Sequence, residues 1–244
     1  PDRETGGILV GYRQAGTITI THATGPGTNA VRTPVTVSKD TPYLQRALDY
    51  LFHCFRVNYL GVWHQHPPDM PNPSQGDLHS AWQDVTDPEV PGDDLLIPVC
   101  TQRAGTIQVI PYLAQRGGYS RVEWQTVPFT GLLNGQWYEC PQGRQRAAQE
   151  MEALQSAGAR VDVIRTEDGT YNFRATFPQT ASSGRGHAQL LVFGCPQDYP
   201  VTAPEVALYD ASTGEFFPVS MTGLASWGLD STLASLYREL APPA

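Results

Sequence analysis

The sequence predicts a mixed α/β (α+β) fold in two domains, residues 1–135 and 136–244. Three observations carry this expectation. Through residue 112 the local patterns run β-β-α-β-α-β-β, with strand-period and helix-period segments interleaved. From about 113 to 140 the patterns weaken. A helix, three alternating strands, a loop and a closing helix then follow, as in a chain that begins a second core. At 244 residues there is material for two small cores or one large one.

Each element has a local reason. "TGGILVGY" (5–12) and "GTITITHA" (16–23) are β-branched runs joined by "RQAG", the pattern of a hairpin. Residues 24–34 have loop composition. In "DTPYLQRALDYLFHCF" (40–55), Asp40 or Thr41 is the N-cap and Pro42 lies in the first turn. Leu44, Leu48, Leu51 and Phe55 then share one helical face. "YLGVWHQH" (59–66) is a strand stopped by Pro67-Pro68, and "DLHSAWQDV" (77–85) is a second helix. "DLLIPVCTQ" and "GTIQVIPYL" form a strand pair across Arg103-Ala104-Gly105. "RVEWQTVPF" is expected as an edge strand and "GLLNGQ" as a turn. Beyond it, "PQGRQRAAQEMEALQSAG" (141–158) is helical. "RVDVIRT", "TYNFRATFP" and "HAQLLVFG" are strands linked by "EDG" and "QTASSGRG", and "STLASLYREL" closes the chain as a helix.

Composition excludes several classes. Hydrophobic residues at 40% and charged residues at 16% are ordinary globular values, without the charge excess of disorder. A net charge of −8 with no basic run argues against nucleic acid as a partner. Lys39 is the sole lysine beside fifteen arginines. That bias fits a GC-rich genome, or avoidance of amine acceptors beside lysine-modifying machinery. Cys54, Cys100, Cys140 and Cys195 lie at least forty residues apart, with no Cys-x-x-Cys pair. A reducing cytoplasm is the expected location. No apolar run reaches the ~20 residues that cross a bilayer, so no membrane association is expected. The sequence opens Pro1-Asp2-Arg3 without Met, as a fragment or a processed chain would.

The chemistry-bearing stretch is "HQHPPDMPNPSQGD", residues 64–77. Side chains at i and i+2 of a strand share a face, so His64 and His66 point together and Gln65 points away. Pro67, Pro68, Pro71 and Pro73 stiffen the following loop. Ser74 stands where a helix starts, and Asp77 three residues on can return its carboxylate towards the strand end. Two imidazoles, one carboxylate and a water make an open four-coordinate zinc site. Ser-x-x-Asp is also close to a capping box, which needs no metal. A barrel amidohydrolase also begins with His-x-His, but needs about 250 or more residues of repeating β/α units. The change of pattern near 140 excludes it.

The stretch resembles the signature of the JAMM (MPN-plus, JAB) metalloproteases, His-x-His-Pro-x6-Ser-x-x-Asp, at every defined position. "ETGGILVGY" (4–12) is similar to the glutamate-led first strand of that family, and "YLGVWHQHP" resembles its bacterial branch most. The resemblance implies a zinc-dependent isopeptidase or peptidase that cuts after the C-terminal tail of a ubiquitin-like protein. It implies Zn²⁺ on His64, His66 and Asp77, with Glu4 as general base. Ser74 would be the donor to the developing oxyanion. The alternative is a non-catalytic scaffold of a bacterial ubiquitin-like pathway, since relatives of that kind exist without the ligands.

The second domain resembles ubiquitin-conjugating (E2-like) domains through its helix, its meander, the turn "FGCPQDYPVTAPEV" and a tryptophan before the last helix. Asp198, Tyr199, Pro200 and Pro204 match that turn. No cysteine lies between Pro204 and Trp227, where the family's nucleophile would stand. The resemblance thus implies an inactive module that binds ubiquitin-like proteins, their conjugates, or E1/E2-like pathway proteins.

Overall fold

Gly6–Gln14 (β1) and Thr17–Ala23 (β2) pair antiparallel around the Ala15-Gly16 turn, both at positive φ. The computed structural model describes residues 3–34, 36–90, 92–177, 190–211 and 213–240. Val31–Arg32 (β3), inside the expected loop, and Val37–Ser38 (β4), just beyond it, form a minimal ladder. Thr41–Phe55 (α1) starts at Asp40, whose carboxylate accepts from the Tyr43 N–H at 3.2 Å, and ends at Arg56 in the left-handed region. Asn58–Gln65 (β5) and Gln75–Thr86 (α2) follow.

The next expected strand pair is broken by proline on both sides. It comprises Asp94–Leu96 (β6), Val99–Arg103 (β7), Thr106–Ile110 (β8) and Tyr112–Gln115 (β9). Pro98 separates β6 from β7 and Pro111 separates β8 from β9, because proline offers no N–H to a ladder. The pairings are β7 with β8 and β6 with β9, so the hairpin continues through the break. β5 runs parallel to both β6 and β7. Gly118–Arg121 (β10) closes the far edge by pairing with β9. The edge strand thus lies just ahead of the expected "RVEWQTVPF", most of which is irregular.

After a short 3-10 turn at Trp137–Glu139, Pro141–Ser156 (α3) begins with proline in its first turn. Arg160–Arg165 (β11), Tyr171–Thr176 (β12), Leu190–Cys195 (β13), Glu205–Asp210 (β14) and Glu215–Pro218 (β15) form one antiparallel meander. β15 was not expected from the sequence. It is a four-residue edge strand exposed throughout, so no alternation of burial marks it. Thr222–Ala225 (α4) and Leu233–Leu240 (α5) complete the described chain. The expected "QTASSGRG" connection lies outside the described residues.

The fold is α+β, with a mixed sheet ordered β10-β9-β6-β5-β1-β2 and a separate antiparallel sheet β11 to β15. Backbone proximity divides the chain into two units. One holds 1–52 with 56–134, the other 53–55 with 135–244. In the first, Ala81 and Val85 of α2 pack on Leu95, Ile97 and Val99, burying the helix against the sheet. In the second, Leu154, Phe173, Leu191, Phe193 and Leu233 are fully buried. The sulfurs of Cys54 and Cys140, 86 residues apart, are bonded, whereas Cys100 and Cys195 are thiols. Their spacing gave no sign of this pairing.

Candidate metal centre

The two histidines follow an irregularity in β5. The β1–β5 register pairs Gly6 with His64 and Leu9 with Gly61, then slips so that Val10 pairs with Tyr59. Leu60 is therefore the extra residue of a bulge. Gly61 has φ +153°, and a Cβ there would lie 1.9 Å from the Leu96 carbonyl oxygen, so no other residue fits. The bulge moves Tyr59 onto the face of Val62, which packs against α2. Leu60 and Trp63 pack on the opposite face with Leu9. His64 and His66 continue the α2-facing side, both buried.

Their partner comes from the helix start. Ser74 is the N-cap of α2: its hydroxyl accepts from the Asp77 N–H at 3.2 Å, and Asp77 Oδ2 accepts from the Ser74 N–H at 2.6 Å. The capping box exists, with aspartate where glutamate is commoner. The same Oδ2 lies 3.2 Å from both His64 Nε2 and His66 Nε2, and the two Nε2 atoms are 2.8 Å apart. Cap and ligand set are one arrangement.

Three donors on a tetrahedral metal, with bonds of 2.0–2.1 Å, stand about 3.3 Å apart. The observed separations are close to that, so the donors fit zinc in size and in type. His66 Nδ1 lies 3.1 Å from the Met70 carbonyl oxygen. A carbonyl only accepts, so Nδ1 carries the proton and Nε2 keeps its lone pair for a cation. The Asp77 hydrogen bond raises His66 above the ordinary imidazole range; burial opposes this, and the Met70 carbonyl adds to it. Burial pushes the Asp77 carboxyl up, but hydrogen bonds from His64, His66 and Ser74 outweigh it and hold the group well below the usual range. Among the described residues, His64, His66 and Asp77 are the metal-ligating side chains whose donor atoms converge in a group of three.

Glu4 precedes β1, and a close approach sets its place. A Cβ on Gly7 would fall 1.9 Å from the Thr24 carbonyl oxygen, so the strand can seat there only as glycine. Past the Gly6–His64 pair, the Gln65 N–H donates to Thr5 O at 2.7 Å, which brings Glu4 across from His66. The Glu4 N–H donates to Thr33 O at 2.8 Å, and Arg32 Nε to Glu4 O at 3.1 Å, tying this segment to β3. Burial raises the Glu4 carboxyl, partly opposed by the charges of His66 and His64. A carboxylate of raised basicity beside a cation site is suited to taking a proton.

The structure thus gathers His64, His66 and Asp77, with Ser74 at the helix end and Glu4 within electrostatic reach. Sequence reasoning missed Tyr59, which donates to Asp84 Oδ2 at 3.2 Å, and noted Lys39 only for its rarity. Burial lowers the Lys39 amine, opposed by Asp84 and Asp77. Simple alternation hides Tyr59, because only the bulge puts it on the histidine face.

The donor set, two imidazole nitrogens and one carboxylate oxygen, fits a divalent transition metal. No protein-family model matches the chain. It is 37% identical over 79 residues to a CD-NTase/cGAS isopeptidase of Escherichia coli (strain TW11681), covering 32% of this chain and 51% of that protein. A protein of the same name from Vibrio cholerae serotype O1 (strain ATCC 39315 / El Tor Inaba N16961) is 30% identical over 88 residues, 35% of this chain and 56% of that one. The chain thus spans about half the length of the curated relatives it matches. A solution structure of a Salinibacter ruber (strain DSM 13855) protein covers 50% of this chain and 76% of its own, at 20% identity and a TM-score of 0.33.

Proposed function

We propose that this protein is a zinc-dependent isopeptidase or peptidase of the JAMM type, cleaving after the C-terminus of a ubiquitin-like protein. The reading covers removal of a conjugate and trimming of a precursor, and places the protein in a bacterial cytoplasm. One observation carries it: two imidazole nitrogens and one carboxylate oxygen converge within 2.8–3.2 Å. Glu4, of raised basicity, interacts electrostatically with both imidazoles. The two bacterial relatives named isopeptidases support the same reaction class.

His64, His66 and Asp77 would hold the metal. When bound, zinc supplies Lewis acidity, polarising the scissile carbonyl and lowering the pKa of water. Glu4 takes the proton of the attacking water and hands it to the leaving lysine or α-amine. The Ser74 hydroxyl accepts from the Asp77 N–H through a lone pair, which leaves its own proton to donate to the developing oxyanion. The C–N bond breaks, giving a free carboxylate on the ubiquitin-like tail and a free amine on its partner.

The second unit is proposed as an E2-like binding module without thioester chemistry. Its α3, meander and closing helices support this, as does Trp227, whose indole N–H donates to Pro200 O at 2.8 Å beside the Asp198-Tyr199-Pro200 turn. Burial pushes the Cys195 thiol well up, which suits a packing role and not a nucleophile.

Elemental mass spectrometry on folded protein grown with zinc tests the reading, paired with cleavage of an isopeptide-linked and a linearly extended ubiquitin-like substrate. About one zinc per chain in the wild type is expected, with none and no cleavage in His66→Ala, and with partner binding kept. A folded, zinc-free wild type, or equal loss of cleavage and partner binding in the mutant, would overturn it.

A further inference from the structure

We infer that Thr101 and Tyr112 are positioning residues of the metal centre, holding the proline-rich loop so that His66 presents its Nε2 lone pair. This rests on the zinc reading above. The inference begins from Met70: its carbonyl fixes the tautomer of His66, yet Met70 sits in a loop with its side chain half exposed. A carbonyl in an unsupported loop would swing freely. Here it is strapped from two sides.

On one side, the His66 N–H donates to Cys100 O at 2.8 Å, and the Asp69 N–H donates to Gln102 O at 3.1 Å. Between them the Thr101 hydroxyl donates to Pro67 O at 2.8 Å. Pro67 also accepts from the Met70 N–H at 3.4 Å, so one carbonyl joins Thr101 to the peptide that faces His66. Pro67 and Pro68 have no N–H of their own, which leaves side chains to supply the missing ties. On the other side, Tyr112 places its hydroxyl 2.9 Å from Asn72 Oδ1 and 3.2 Å from Pro71 O. Thr101 is 1% exposed and Tyr112 7%, so both hydroxyls are held by packing before they hold the loop. Asp69 turns the loop at φ +60°, a conformation that such ties stabilise.

Neither residue reaches the reacting atoms. Each acts through the loop on His66 Nδ1, in the way outer hydrogen bonds orient a ligating imidazole. The substitutions Thr101→Val and Tyr112→Phe remove one hydroxyl each with little change of shape. Chelator competition should show zinc affinity lower by about 10–100-fold in each. In metal-free protein at alkaline pH, ring ¹⁵N shifts of His66 should move from an Nδ1–H form in the wild type to a mixture of tautomers. Thr101→Ser restores the hydroxyl and should restore both. Tyr138→Phe loses a comparable bond, to Gly169 O at 2.9 Å, and should leave zinc affinity unchanged.

Folded Thr101→Val and Tyr112→Phe that bind zinc within about twofold of wild type, with the His66 tautomer unmoved, would overturn the inference while the zinc reading stands. A wild type that binds no zinc would remove the zinc reading itself. Should Thr101→Val fail to fold, Tyr112→Phe alone decides by the same two readouts.

Discussion

Two buried polar clusters, one in each unit, differ in how much bonding capacity they leave open. In the second unit, Glu150 is 1% exposed and every oxygen is used. Oε1 accepts from Arg146 Nε at 2.8 Å and from the Tyr199 hydroxyl, and Oε2 from the Leu233 N–H at 2.8 Å. Arg146 also donates to the Leu229 and Ser231 carbonyls. That network pins α3 to the Tyr199-Pro200 turn and to the start of α5, with both Glu150 oxygens already accepting. At the candidate metal centre, two imidazole nitrogens and a carboxylate oxygen converge within 2.8–3.2 Å, and one bound cation would satisfy all three. Burial and charge are common to both clusters; unspent valence belongs to one. Such residual capacity is a better mark of a reactive site than polarity itself.

The comparison can be sharpened by variants in decreasing order of effect. On the proposed reading Glu4→Gln keeps the ligands and removes the base, so cleavage should fall about 10²–10⁴-fold with zinc content unchanged, measured by rate and metal analysis on one sample. Parallel loss of zinc would reassign Glu4 to holding the site. Glu150→Ala strands the Arg146 charge and should cost about 3–5 kcal/mol in denaturant unfolding. A change below about 1 kcal/mol would mean that the network is not closed. Ser74→Ala should slow cleavage about 10²–10³-fold and cost about 1 kcal/mol of stability through the lost cap. Stability loss without a rate effect would leave Ser74 as a cap alone.

The last expectation concerns pH. Asp77 raises the native His66 above its unfolded value, so this group stabilises the metal-free fold fully below about pH 6.5 and loses that contribution as pH rises through the native value. On the zinc reading, the metal competes with the same proton. Its affinity should therefore climb with pH up to the raised native value and flatten beyond it, as isothermal titration across pH 5–9 would show. A flat profile would mean that His66 is not a ligand.

Much of this site was legible in the chain. A two-residue period places His64 beside His66, and Ser74-x-x-Asp77 announces a helix start, because both are local rules. The bulge at Leu60-Gly61 was not, since it follows from the approach of the Leu96 carbonyl across the sheet. The breaks at Pro98 and Pro111 were readable in principle, yet hydrophobic continuity on either side hid them. Arg146 and Glu150, four apart on a helix, look like any solvated pair; only the tertiary structure buries them. Thr101 and Tyr112 carry no local signal, because their partners lie 34 and about 40 residues away.

The shared oxygen of Asp77 has a consequence for dynamics. It receives the Ser74 N–H and faces both imidazoles, while the Leu78 N–H donates to Ser74 O at 3.1 Å. Fraying of the first turn of α2 should therefore open the candidate ligand set with it. Amide hydrogen exchange at Asp77 and Leu78 should slow when zinc is bound, making the helix start a built-in reporter of metal occupancy that needs no substrate.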